Sequence, residues 1–489
     1  MTEPLTAREY RDLLSDALRD AAEADTRRPT AHTLFMPDSH RTALYVDNTV
    51  VQGGRGVGKT FWYRSLLDGD LRGFAADEYR IARLRRLNVA PGHGADPKID
   101  CYPSHLVLRN LVEEGAPPYE IWYTVLLTAL GQAELKDLPE WRDKVAWVRA
   151  NASTAQRTIE QADQQAREAN TVHLLVFDAL EHLHGDREQA DRLVAGILQL
   201  ALQMRIGTRN IRFKVFIRPD MFDGAKHHFP DASKLSGNAA RLEWSQTDLY
   251  GLLFHCLGNG EGEPFARFRR LIGGWEDDAG GLRYVPPMAL RNDERAQMDL
   301  FEQIADPFMG ANFRKGRPYT WLPNHLMDGR EQVSPRSFLH ALFEAAEATR
   351  FERPSHDRAL HHQAIRKGVQ SASEIRVYEV SEDTPWVSLA IEPLNGCQVP
   401  IEEPKVIGIW KDRDLSAALR ADSAQYAQAD GPEYVRTGPR HPDDLPRLVE
   451  ELIDLGVMRR RRDLRLDLPD VYRIAFRVGR RGGVPMSAG

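Results

Sequence analysis

The sequence predicts an α/β protein built on a parallel sheet, followed by a helical unit and a smaller C-terminal unit. Three observations predict it. Val172-His173-Leu174-Leu175-Val176-Phe177 and Ile211-Arg212-Phe213-Lys214-Val215-Phe216-Ile217 are near-continuous apolar runs, the pattern of parallel strands covered by helices on both faces. The β-prone run Thr49-Val50-Val51-Gln52 leads through a glycine-rich turn straight into helical spacing. At 489 residues there is room for about three domains of roughly 150 residues each.

That turn is Gly53-Gly54-Arg55-Gly56-Val57-Gly58-Lys59-Thr60, a full match to G-x-x-x-x-G-K-T. Consecutive backbone N–H groups can curl around a phosphate only where no Cβ blocks approach, and four of the loop's first six residues are glycine. Phe61-Trp62-Tyr63-Arg64-Ser65-Leu66-Leu67 then has the apolar spacing of a helix start, which turns the positive end of the helix dipole toward the phosphate. Lys59 is expected to reach the β- and γ-phosphates, and the Thr60 hydroxyl to hold Mg²⁺. No guanine-reading N-K-x-D run occurs and no D-x-x-G follows Asp178, so ATP is the expected nucleotide.

A phosphate loop of this kind needs a carboxylate at the end of a second strand to hold the metal's water shell. Asp178 fills that place and is the second expected metal ligand. Glu181, just beyond, either polarises the attacking water or merely complements a helix N-terminus. Lys59 and Asp178 are 119 positions apart, and helical spacing around Pro117-Pro118 predicts a helical insertion over about 75–165. Arg218 ends the third run, where ligands bind in open α/β sheets, so it either senses the γ-phosphate or pairs with Asp220 or another surface acid. Further on, Val333-Ser334-Pro335-Arg336-Ser337-Phe338-Leu339 opens a helix with Ser334 as N-cap. Arg336 is then a second sensor or an ordinary surface arginine. His182 and His184, and the adjacent His361 and His362, have no cysteine or acid set at metal spacing beside them and read as surface histidines.

The C-terminal part starts with helical spacing at Leu445, Leu448, Val449, Leu452 and Ile453, with Gly456 as the C-terminal cap. Leu464, Leu466 and Leu468 alternate, and Tyr472, Ile474, Phe476 and Val478 alternate with Arg473, Ala475 and Arg477, which predicts a β wing after a helix. Residues 459–482 hold nine arginines against three aspartates. Such a basic hairpin, Arg459 to Arg481, either tracks a nucleic-acid backbone, meets the acidic surface of the core or of a neighbouring subunit, or simply solvates a sheet edge.

Composition narrows the field. Sixty-five Lys and Arg against 71 Asp and Glu give a net charge of -6, so the chain as a whole has no call for a polyanionic partner. Cys101, Cys256 and Cys397 fit neither a disulfide framework nor paired zinc spacing. The segment Met1 to Asp16 lacks a secretory pattern, and no run reaches the roughly 18 apolar residues of a spanning helix. A cytoplasmic protein with no membrane contact is expected.

With the glycine loop, Val176-Phe177-Asp178-Ala179-Leu180-Glu181, Arg218 and Ser334-Pro335-Arg336 in that order, the chain resembles the AAA+/STAND-type P-loop ATPases. More narrowly, it resembles a bacterial STAND-like group with a C-terminal winged helix. That likeness includes Phe216-Ile217-Arg218-Pro219-Asp220, Leu242-Glu243-Trp244-Ser245, Trp321-Leu322-Pro323-Asn324-His325 and Leu468-Pro469-Asp470-Val471-Tyr472-Arg473. The resemblance implies an N-terminal helical segment (1–40), a P-loop ATPase core (41–244), a helical lid (245–380) and a basic winged-helix-like domain (381–489). It also implies ATP hydrolysis with Lys59, Asp178, Glu181, Arg218 and Arg336 in the roles above, exchange of ADP for ATP as a conformational or assembly switch, a homo-oligomer, a separate effector protein and a conflict or defence setting. The acid after Asp178 is not adjacent to it as in many AAA+ proteins, which bears on the base role of Glu181. The competing expectation is a nucleic-acid-binding protein regulated by ATP through its arginine-rich end.

Overall fold

The computed structural model describes residues 3–19, 27–278, 280–428 and 438–480. The chain opens with helix α1 (Ala7–Leu18), started by a reciprocal cap in which Thr6 and Glu9 satisfy each other's backbone N–H. The main sheet follows: β1 (Val50–Gln52), β2 (Leu87–His93), β3 (Val172–Phe177), β4 (Ile211–Ile217) and β5 (Ala240–Arg241), in the order β2-β3-β4-β1-β5 with every pairing parallel. β3 and β4 are buried because both sheet faces are covered, as their apolar runs predict. On one face α2 (Lys59–Leu67) packs with residues 34–46 and 69–79. On the other, α3 (Pro118–Ala129) and α4 (Arg187–Gly207) pack together, and Trp122 donates its indole N–H to the Leu193 carbonyl at 2.8 Å. A short helix α5 (Pro219–Ala225) leaves the end of β4.

Helices occupy most of residues 105–168, and the stretch between β1 and β3 also contributes a sheet strand, which the helical reading of 75–165 does not include. Residues 87–93 form edge strand β2, paired to β3 along its length with a register shift between Pro91 and His93. Proline and glycine fit there because an edge strand leaves one row of backbone groups unpaired.

After β5, α6 (Gln246–Asn259), α7 (Pro335–Glu352) and α8 (His362–Asp383) build a helical core that α1 joins. A small antiparallel hairpin, β6 (Glu276–Asp278) with β7 (Arg283–Val285), interrupts it. The last core gathers residues 386–478 around Trp410 and Leu448. It contains β8 (Gln398–Val399), α9 (Leu445–Asp454), an antiparallel hairpin of β9 (Arg459–Arg460) with β10 (Leu466–Asp467), a short helix α10 (Asp470–Arg473), and β11 (Gly479–Arg480) paired to β8. Gly456 follows α9 with φ 74°, as its capping place predicts.

The expected strand over residues 472–478 is not formed. Pro469 and Asp470 start α10 instead, and Arg473 is buried at 1% exposure on the Asp470 carboxylate, so no basic face exists there. The hairpin is built from the residues just before this segment.

Candidate active site

The glycine loop leaves β1 with Gly53 donating its N–H to the Ile217 carbonyl of β4 at 3.1 Å. Gly56 and Gly58 take left-handed backbone, φ 73° and 100°, which lets the chain reverse and start α2 at Lys59. A Cβ on Gly53 would lie 2.6 Å from the Val57 side chain. On Gly54 or Gly58 it would instead enter open space, with nearest neighbours at 3.9 and 4.0 Å. The loop therefore offers backbone N–H groups of a helix start beside a space that side chains would fill, the condition for holding a phosphate. Trp244 braces it from outside, its indole N–H donating to the Val57 carbonyl at 2.9 Å.

Lys59 is buried, and its Nζ donates to the Gly53 and Gly54 carbonyls at 3.1 and 2.6 Å. Burial pushes its ammonium pKa down, opposed by the carboxylates of Glu181 and Asp178. Thr60 Oγ1 donates to Asp178 Oδ2 at 2.6 Å, joining residues 118 positions apart. Hard oxygen donors of this kind fit magnesium. Asp178 is 1% exposed and pinned by its neighbours: its N–H donates to the His93 carbonyl at 3.0 Å, and His93 Nδ1 lies 2.9 Å from the Asp178 carbonyl. Burial, then the Glu181 charge, push the Asp178 carboxyl up to about 6, against the Thr60 hydrogen bond and Lys59.

Ala179 takes a left-handed backbone, φ 55°, without being glycine, a strain of about 1–3 kcal/mol of the sort that clusters at functional sites. The kink leads into the short turn Leu180–His182 that carries Glu181. Burial works to raise the Glu181 carboxyl, but His182, Lys59 and Arg218 outweigh it and hold it below its ordinary range. Lys59, Thr60, Asp178 and Glu181 thus come together, with Arg218 close enough to bias two of them. Arg218 itself forks onto Asp220, Nε to Oδ1 at 3.0 Å and Nη2 to Oδ2 at 3.1 Å, and Asp220 also accepts from Arg187 at 3.2 Å. Although burial alone would raise Asp220, Arg218 and Arg187 hold it well below the usual carboxylate range.

The helical unit closes over the loop. Ser334 occupies the N-cap position of α7 as expected, but its hydroxyl accepts no N–H from its own helix and instead donates to the Gly56 carbonyl at 3.3 Å. Arg336 bonds Glu379 of α8, and Glu379 also accepts from Arg376 Nη1 at 3.2 Å. Arg376 of α8 touches the loop: Nη1 donates to the Arg55 carbonyl and Nε to the Tyr472 hydroxyl, each at 3.2 Å. Arg55 pairs with Glu382 at 3.2 Å. A cleft opens beside the loop, lined among others by four arginines, Arg55, Arg218, Arg330 and Arg376, and three aspartates, Asp220, Asp328 and Asp454. Sequence reasoning missed Arg376, Glu382 and His93. Each reaches the site through tertiary packing, and no local spacing announces it.

Of the eight arginines described between 459 and 480, five are ion-paired. Arg459 and Arg480 share Asp467, Arg460 bonds Glu403 and Glu450, Arg465 bonds Asp463, and Arg473 bonds Asp470. Among the described residues Arg461, Arg462 and Arg477 make no ion pair. Arg481 lies outside the described residues. No helix among the described residues is long and apolar enough to cross a membrane.

The parallel sheet, glycine loop and helix make this an α/β fold of the P-loop NTPase type. No family model matches the chain, and no curated protein matches its sequence. Among solved structures it is similar to the Aeropyrum pernix ORC2 protein, in ADPNP–ADP complexes, at 13% identity and a TM-score of 0.36, covering 87% of this chain and 84% of that one.

Proposed function

We propose that the chain is an ATPase of the AAA+/STAND kind, binding and hydrolysing Mg-ATP and acting as a nucleotide-dependent conformational or assembly switch. The observation that carries this reading is the Thr60 hydroxyl on the Asp178 carboxylate, 2.6 Å apart, one residue beyond the lysine of a full glycine loop. The backbone N–H groups of residues 53–60 and the start of α2 take the phosphates, and Lys59 exchanges its loop carbonyls for phosphate oxygens. Thr60 and Asp178 would hold magnesium, which would supply charge neutralisation for the bound phosphates. Glu181, kept ionised by Lys59, Arg218 and His182, accepts the proton of a water at its carboxylate. Arg218 reads the γ-phosphate by leaving Asp220. Arg336 acts through Glu379, which orients Arg376 on the loop.

Contacts from Ser334, Arg376 and Tyr472 support a division into core (41–244), lid (245–380) and C-terminal unit (381–489) whose arrangement responds at the loop. The helix-plus-hairpin order of α9, β9 and β10 supports a winged-helix reading of the last unit. Homo-oligomerisation and a separate effector follow from the resemblance. The arginine-rich end offers less to nucleic acid than its composition promises, because five of its described arginines already have carboxylates.

Phosphate release and sedimentation test the proposal together. Wild type hydrolyses ATP only with Mg²⁺ and changes shape or size between ADP and ATP, Glu181→Gln binds ATP without turnover, and Lys59→Ala does neither. Equal turnover in all three proteins rejects it.

A further inference from the structure

Asp306 follows the helix Glu294–Ile304 and is pinned beside the turn between α7 and α8 by backbone bonds, Asp306 N–H to the Leu360 carbonyl and Leu360 N–H to the Ile304 carbonyl, each 3.0 Å. Three imidazoles surround its carboxylate. His356 Nε2 lies 2.6 Å from Oδ1, His362 Nδ1 lies 2.8 Å from Oδ2, and His361 Nε2 stands 4.0 Å from Oδ2. The rings touch one another, with centroids 4.8 Å apart for His356 and His361 and 4.1 Å for His361 and His362. His361, read from sequence as a surface residue, has a side chain only 9% exposed. Its Nε2 points into the cluster beyond hydrogen-bond reach of the carboxylate and makes no hydrogen bond among the described residues.

We propose that Asp306, His356 Nε2 and His361 Nε2 form a site for a divalent transition metal of zinc type. One ligand atom from each of the three residues lies within 4.8 Å of the others. Zinc with bonds of about 2.0–2.1 Å places tetrahedral ligands roughly 3.3 Å apart, so closing the site takes small side-chain rotations. A mixed imidazole–carboxylate set with an oxygen and two nitrogens suits zinc, nickel or cobalt and disfavours magnesium or calcium. The carboxylate is already oriented from behind: the His362 backbone N–H donates to Oδ2 at 2.9 Å, the outer-shell support that metal sites use. One bond is given up. Gln363 N–H now donates to His361 Nδ1 at 3.2 Å, and a metal on Nε2 moves the ring proton to Nδ1. The metal ties the end of the Glu294–Ile304 helix to the start of α8, whose Arg376, about 21 Å further along that helix, touches the phosphate loop.

The test uses the full chain, prepared without a polyhistidine tag and stripped with chelator. Calorimetric titration with Zn²⁺ is expected to give one saturable site per chain and a higher unfolding temperature. Co²⁺ is expected to give the visible bands of a four-coordinate nitrogen–oxygen site. Asp306→Asn and His356→Gln are each expected to weaken Zn²⁺ at least tenfold while the far-ultraviolet spectrum stays that of wild type. Absence of a saturable site at about 10 μM free Zn²⁺ in wild type overturns the proposal, whether or not the variants fold. So does affinity unchanged in both variants.

Discussion

Asp178→Asn is expected to stabilise the nucleotide-free protein while destroying its response to magnesium nucleotide. The carboxyl is 1% exposed and rises from 3.8 to about 6 on folding, burial first and the Glu181 charge second. Because its folded pKa exceeds the unfolded one, the native state binds more protons between about pH 4 and 6, and stability falls as pH rises through that window. Above it the cost is fully present, about 3 kcal/mol from some two units at 1.36 kcal/mol each. Asparagine does not titrate and can still accept from Thr60, so it removes the cost. Lys59 loses one of its two flanking carboxylates, which returns part of the gain, leaving about 1–2 kcal/mol. For a sheet domain of this size that is a rise of roughly 2–8 °C in its own unfolding transition near pH 8. Scanning calorimetry without nucleotide, near pH 8 and near pH 4, reads both the shift and its disappearance in acid, and added Mg-ATP is expected to stabilise wild type alone. A variant less stable than wild type near pH 8, or a gap independent of pH, would refute the assignment of Asp178 as a strained site carboxylate.

Further outcomes follow from the same geometry. Gly58→Ala forces a Cβ into a backbone at φ 100° and is expected to cost roughly 1–2 kcal/mol in thermal unfolding and to abolish ATP binding. Arg376→Ala frees the Arg55 carbonyl and the Tyr472 hydroxyl while Glu379 keeps Arg336. Displacement of fluorescent ADP should then accelerate, and an unchanged off-rate would show that the lid does not gate the loop. Trp244→Phe loses one bond to the loop, worth about 1 kcal/mol, and is expected to weaken ATP several-fold with the fold intact. Changing Arg461, Arg462 and Arg477 to Glu is expected to leave mobility-shift results at the weak, salt-sensitive level of non-specific binding, about 10⁻⁴–10⁻⁶ M. A tight complex in wild type that this change removes would favour the nucleic-acid reading.

What the sequence could reveal depended on how local each signal was. β1, β3 and β4 are legible because strands buried on both faces must be apolar throughout, and the loop is legible because its glycines answer to backbone geometry alone. β2 is not: Leu87 to Ala90 alternates weakly, and Pro91-Gly92-His93 reads as a break unless one knows the strand lies at an edge. The tail misled because alternation of Tyr472 to Val478 with Arg473 and Arg477 has the period of a strand, while the Asp470–Arg473 pair that buries the arginine is set by the helix that forms. Thr60 and Asp178 both sit at the ends of recognisable elements, and the structure has them hydrogen-bonded at 2.6 Å. Arg376 on the Arg55 carbonyl and Asp306 among the histidines join residues far apart in the chain, and only packing brings them together.

The most direct measurement is equilibrium binding of ATP by calorimetry, with and without Mg²⁺, to wild type, Lys59→Ala and Thr60→Ala. The account predicts one site per chain in wild type, loss of binding in Lys59→Ala, and retained ATP binding with little further gain from Mg²⁺ in Thr60→Ala. Wild type that takes up no ATP, or a Lys59→Ala protein that binds it equally well, would contradict it.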